Sequence, residues 1–248
     1  MRDSPIEIRE LTAVEELKQA VDLQREIWGY DDLELLPLRL FIVATKIGGL
    51  VLGAFDGSRM VSFALAIPGL KGGRKFYLHS HMLGVLADYR NTGLGRRMKL
   101  RQRDFAIANG VDLIEWTFDP LELKNAFFNI ERLGAIARRY VHNQYGTTSS
   151  RLHGGLPTDR LVAEWWVQSP RVIAICTGQP LLAQPVKARI SVPTTIAADR
   201  EQDPKRARAI QIEVGEQFER NFQQNLAVIG FERNEGAGTY LIGEWESE

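Results

Sequence analysis

Residues 85–97 read Val-Leu-Ala-Asp-Tyr-Arg-Asn-Thr-Gly-Leu-Gly-Arg-Arg. An apolar run passes into a turn carrying Gly93 and Gly95, and then into a basic stretch. Glycine lets the backbone approach a bulky anion closely, and the N–H groups of a helix's first turn bind phosphate oxygens. Arg90, Arg96, Arg97, Lys99, Arg101 and Arg103 gather positive charge between Asp88 and Asp104. That suits a ligand with several phosphates, although a plain turn before a solvated helix face has the same pattern. A dinucleotide fingerprint is disfavoured because Met98 stands where its third glycine belongs. No Gly-Lys-Ser/Thr follows the turn, so a P-loop fails as well. Just upstream, His79-Ser80-His81 sets two imidazoles two residues apart, on one face if the strand is regular. An ordinary imidazole pKa of ~6.5 fits proton transfer near neutrality. The bland alternative is a pair of structural histidines. A metal site is not expected, since His142 and His153 lack helpful spacing. Cys176 is the single cysteine and reads as an inert thiol, which leaves no internal disulfide and no cysteine zinc cluster.

These residues need elements to hold them. Ile6–Leu11 alternates like a short strand, and Thr12 with Glu15 suggests a capping box before a helix running to Trp28. A second helix spans Leu38–Ile47 and stops at Gly48-Gly49. Strands Leu50–Phe55, Met60–Ile67 and Lys75–Leu86 follow, the first two joined by Asp56-Gly57. A helix over Gly93–Ala108, a strand over Val111–Phe118 and a helix over Leu121–Leu133 come next. Ile136–Tyr145 and Leu161–Val167 read as strands around a long polar loop. The order β-α-α-β-β-β-α-β-α-β-β predicts an α/β layered domain, residues 1–168. Ser169-Pro170 marks a boundary, and residues 169–248 form a smaller αβ extension. Its expected strands are Val172–Ile175 and Val186–Val192. An amphipathic helix opened by Asp203-Pro204 and a final hairpin, Leu226–Phe231 with Thr239–Trp245, complete it.

Thirty-one basic against 31 acidic residues give a net charge of zero, which argues against a general attraction to nucleic acid or anionic lipid. The apolar stretch Leu40–Phe55 is broken by Lys46 and two glycines, so no membrane span is expected. Nor is a signal peptide, and the expected location is cytoplasmic.

The stretch Arg90-Asn91-Thr92-Gly93-Leu94-Gly95 resembles the Arg/Gln-x-x-Gly-x-Gly/Ala signature of the GNAT acyltransferases, which bind the pyrophosphate of acyl-CoA. The order of elements over about Ile6 to Val167 is similar to that family too. The resemblance implies a mixed, mostly antiparallel sheet flanked by helices. It implies that Val85 and its neighbours pair with the pantetheine arm. The backbone of Asn91, Thr92, Gly93, Leu94, Gly95 and Arg96 would hold the pyrophosphate, beside Arg90 and Arg97. His79 occupies a position, six residues before Val85, where some members carry a catalytic glutamate; His81 is the other candidate base, since a bulge is common in that strand. Ile130 stands where the family often has a tyrosine acid, which leaves Tyr140 and Tyr145 as candidates. Asn125 and Asn129 are candidate pantetheine contacts.

Leu78–Val85 and Phe118-Asp119-Pro120-Leu121 resemble a divergent branch similar to enzymes that acylate the α-amine of amino acids, including with succinyl groups. The expectation is therefore a small carboxylated amine as acceptor and acetyl-CoA or succinyl-CoA as donor. Arg138, Arg139, Arg151 and His153 are the candidates to receive the carboxylate. A homodimer is admitted, and neither a nucleic acid nor a membrane partner is expected. The rivals are a catalytically silent CoA-binding sensor and a nucleic-acid-associated module using the arginine helix. The second is weakened by the zero net charge and the lack of interleaved aromatic residues.

Overall fold

The computed structural model describes residues 6–72, 75–146 and 156–245. The chain divides into two compact units, Met1–Glu115 and Trp116–Glu248, so the division falls within the residues expected to form the first domain. In the first unit, β1 (Glu7–Glu10), β2 (Leu50–Asp56), β3 (Arg59–Lys71) and β4 (Lys75–Val85) pair antiparallel in that order. Strand β5 (Leu113–Phe118) runs parallel to β4, with Leu78 beside Ile114 and His79 beside Glu115. Helices α1 (Val14–Trp28) and α2 (Leu38–Lys46) pack on this sheet, as does α3 (Leu94–Ala108). Their apolar faces close over Phe41, Phe63, Leu65, Met98 and Ala106, all fully buried. The expected capping box at Thr12 is absent. The helix begins one residue later, with Ala13 as its N-cap and no side-chain cap.

The second unit contains α4 (Leu123–Phe127), a π turn over Phe128–Arg132, β6 (Ile136–Val141) and β7 (Arg160–Trp166). It then takes in α5 (Pro170–Thr177), β8 (Ala188–Pro193), α6 (Ile196–Gln202), α7 (Pro204–Gln223), β9 (Leu226–Arg233) and β10 (Ala237–Glu244). Its strand order is β7-β6-β9-β10-β8. The helix expected over Leu121–Leu133 is thus a short α turn widened into a π turn, which Gly134 ends at φ 81°. Val172–Ile175 is helix, not strand. Ser169 Oγ accepts from the Val172 N–H, Pro170 opens the helix and Gly178 closes it in the left-handed region. Those end signals outweigh the β propensity of three β-branched residues. Residues read as a domain boundary are a helix cap.

The extension is not a separate lobe. Strand β9 pairs with β6 through Ala137 and Val228, and the Phe231 N–H donates to Glu131 Oε1 at 2.7 Å. The Tyr240 hydroxyl donates to the Pro120 carbonyl at 2.7 Å. Arg200, on α6, holds Asp119 at 2.7 Å and Glu122 at 2.8 Å, with both Arg200 and Asp119 buried.

Candidate functional site

Strand β4 leads straight into the glycine turn. After Val85, a 3-10 turn over Ala87–Tyr89 is held by the Tyr89 hydroxyl, which donates to Asp56 Oδ2 at 2.6 Å. The Thr92 hydroxyl donates to the Tyr89 carbonyl at 2.7 Å. On either side of Thr92, Asn91 and Gly93 have φ of 61° and 84°. This left-handed pair aims the chain into α3. Gly93 is its N-cap, no side chain caps the turn, and the Arg97 N–H donates to the Gly93 carbonyl at 3.1 Å. The N–H groups of Leu94, Gly95 and Arg96 therefore belong to a first turn that has no intrahelical acceptors. A Cβ built on Gly95 would meet only Leu83 and Val85, at 3.7 and 4.0 Å, so the backbone lies bare there. Arg90 Nε donates to the Val85 carbonyl at 3.0 Å, and Arg97 donates to the Ile6 carbonyl at 2.7 Å. The expected phosphate residues are thus brought together on one loop and one helix start, whose bare backbone and basic rim fit a polyphosphate.

The histidines sit on the same strand. Ser80 pairs with Ala66, but Leu65 pairs with Met82, so His81 is the extra residue of a β-bulge. The bulge brings the His79 and His81 rings to 5.8 Å. His79 is half-buried, and burial, with His81 and Lys99 adding to it, lowers its pKa while Glu115 acts in the other sense. His81 is more exposed, yet desolvation of its ring lowers its pKa as well. Ser80 points the other way, donating to Gln102 Oε1 at 3.0 Å and accepting from Lys99 Nζ at 2.9 Å. Burial holds the Lys99 amine far below its ordinary pKa.

One acid escaped the sequence reading. Glu115 is buried, sits in register with His79 and forms an ion pair with Lys71 of β3. Lys71 Nζ also lies over the Tyr77 ring, 5.6 Å from its centroid, and Gly69 opposite leaves room for that ring. The available signal was a single carboxylate inside the apolar run Leu-Ile-Glu-Trp-Thr-Phe.

The remaining candidates lie in the second unit. Tyr140 donates to Asp159 Oδ2 at 2.8 Å; burial first, and Asp159 next, raise its phenol pKa and keep it protonated. Tyr145 is exposed, its hydroxyl 3.0 Å from Thr117 Oγ1. Asn129 is buried and accepts from the Trp116 indole at 3.2 Å, whereas Asn125 is exposed. Ile130, at the family's tyrosine position, is fully buried. A bulge between Ala137 and Tyr140 turns Arg138 and Arg139 toward one buried carboxylate, Glu164, at 2.6 and 3.6 Å. Arg151 and His153 lie outside the described residues. Among the described residues there is no His/Cys/Asp/Glu group that could hold a metal, and no helix long and apolar enough to cross a membrane.

No family model matches the sequence, and no curated protein matches it. Solved structures do. The ribosomal-protein-S18-alanine N-acetyltransferase from Escherichia coli is similar with a TM-score of 0.53 at 17% identity, over 66% of this chain and 96% of that one. NAA60 from Arabidopsis thaliana in complex with acetyl-CoA gives 0.52 at 14% identity, over 65% and 99%. An acetyltransferase of the GNAT family from Streptococcus pneumoniae gives 0.51 at 14%, over 64% and 98%. At such identities the likeness establishes the fold.

Proposed function

We propose that this chain, which has the GNAT N-acetyltransferase fold, is an acyl-CoA-dependent N-acyltransferase. One observation carries the reading. Strand β4 bears the histidines in its middle and delivers the bare, uncapped phosphate turn at its end. Six residues at ~3.3 Å each set His79 about 20 Å before Val85, a reach of the order of an extended pantetheine arm. Two solved relatives are described with acetyl-CoA or CoA bound, which supports the same co-substrate here.

The co-substrate supplies an activated thioester carbonyl. The chain's part is to bind, orient and accept a proton. The N–H groups of Asn91 to Arg96 take the pyrophosphate, with Arg90, Arg96 and Arg97 around them, and Val85 takes the pantetheine. His79, uncharged at neutral pH because its pKa is lowered, receives the amine proton as nitrogen attacks. His81 is the alternative base. Tyr145 is the more accessible of the two tyrosines for the leaving thiolate, Tyr140 being engaged with Asp159.

For the acceptor we propose a small carboxylated amine such as an amino acid, with acetyl or succinyl as the group moved. Arg138 and Arg139 stand side by side at the β6 bulge, and guanidinium is the side chain best shaped to bind a carboxylate. On this reading residues 1–168 carry the acyl-CoA site and residues 169–248 support it. Calorimetric titration with CoA, followed by thiol release over a panel of amino acids, polyamines and peptides, tests the proposal. No CoA binding refutes the function; release with polyamines or peptides alone refutes the acceptor.

A further inference from the structure

We infer, resting on the acyltransferase reading, that Glu115 is a positioning residue for His79: its ionised carboxylate stabilises the imidazolium formed when His79 accepts the amine proton. The geometry is a strand-to-strand one. In the parallel pair β4–β5, Glu115 is the register partner of His79, and register partners on neighbouring strands lie ~4.8 Å apart with side chains on the same face. The carboxylate is buried at 3% exposure and pairs with Lys71, which reaches it from β3. The charged and titratable groups acting on His79 are Glu115 from β5, His81 from β4 and Lys99 from α3, while Lys71 of β3 reaches Glu115 and lies over the Tyr77 ring. Of these only Glu115 is acidic, and its charge opposes the lowering of the His79 pKa by burial, His81 and Lys99. The proton balance is simple. The amine proton moves to His79 as the C–N bond forms, the C–S bond breaks and CoA leaves as the thiolate with the bonding pair; Glu115 forms and breaks no bond.

The alternative is that Glu115 only anchors Lys71, a structural role that would leave His79 untouched. The full chain bearing Glu115→Gln separates the two. Histidine ring NMR should show the His79 midpoint falling by about one pH unit, as expected when a nearby opposite charge is removed. The acid limb of kcat/KM should move the same way, and kcat should fall about tenfold with the KM for acyl-CoA unchanged, within the range for an impaired general base. Glu115→Asp, which keeps the charge one methylene further back, should recover part of both. An unchanged His79 midpoint in Glu115→Gln overturns the inference, as does an acid limb that stays in place. Should the parent chain release no thiol with any amine, the acyltransferase reading falls, and the NMR midpoint still decides whether Glu115 acts on His79.

Discussion

A histidine whose pKa is lowered serves as a base over a wider pH range than a free one, because it stays uncharged as the solution turns acid. The acid limb of kcat/KM is therefore expected below the ~6.5 of an unperturbed imidazole, as a pH–rate profile would show. His79→Gln should lower kcat by about 100-fold while CoA affinity, read by calorimetry, stays the same. Unchanged turnover would move the role to His81 or to water. Stability carries the same sign. Unfolded, His79 takes up its proton at a higher pH than it does when folded, so its contribution is full above ~6.5 and is lost as pH falls toward the folded value. The two histidines were legible in the sequence because they stand alone on a strand that leads to the glycines. Their relation was not. Alternation alone puts both on one face, whereas the bulge at His81 depends on pairing with β3, which no local pattern encodes. Glu115 lay hidden for the same reason, since only the β4–β5 register makes it a neighbour of His79.

In the turn before α3, the two glycines differ in kind. Gly93 is needed for its conformation, since φ of 84° costs a side-chain-bearing residue about 1–2 kcal/mol. Gly95 has an ordinary helical position with only ordinary contacts awaiting a Cβ. Gly95→Ala should accordingly leave stability unchanged, or raise it by up to about 1 kcal/mol as glycine-to-alanine does inside a helix. CoA binding should nonetheless weaken about tenfold, which is ~1.4 kcal/mol. Thermal unfolding beside calorimetry reads the two effects separately. An intact affinity in Gly95→Ala would remove the loop from the cofactor site. Element order was readable through β7 because each segment has its own period and its own stop. At Val172–Ile175 the two kinds of signal disagree. In so short a run the β-branched residues and the Ser-Pro cap point to different structures, and the cap prevails once the N–H of Val172 has a partner. Likewise, the Arg138–Arg139 pair was found as two cations, while their common partner Glu164 came from the register of β7.

At the scale of the whole chain, the last eighty residues belong to the body of the second unit. They supply the neighbour of β6, the guanidinium that donates to Asp119 and the phenol that closes on Pro120. A chain ending at Gln168 should be insoluble or inactive, since it exposes an apolar β6–β7 layer and strands a buried Asp119. A soluble, fully active fragment would instead mark the extension as dispensable. A milder probe is Arg200→Ala, expected to cost about 3–5 kcal/mol in urea unfolding because it leaves a buried carboxylate without its cation. The end strands, β1 and β8, have a further role. In the first unit the outermost strand is β1, four residues long with exposed Glu7 and Glu10. In the second it is β8, which turns Arg189 and Ser191 outward and ends at Pro193, a residue with no N–H to offer. Short, charged and proline-stopped margins are poor templates for a foreign strand, so these two edges are guarded against the edge-on stacking by which unprotected β structure aggregates.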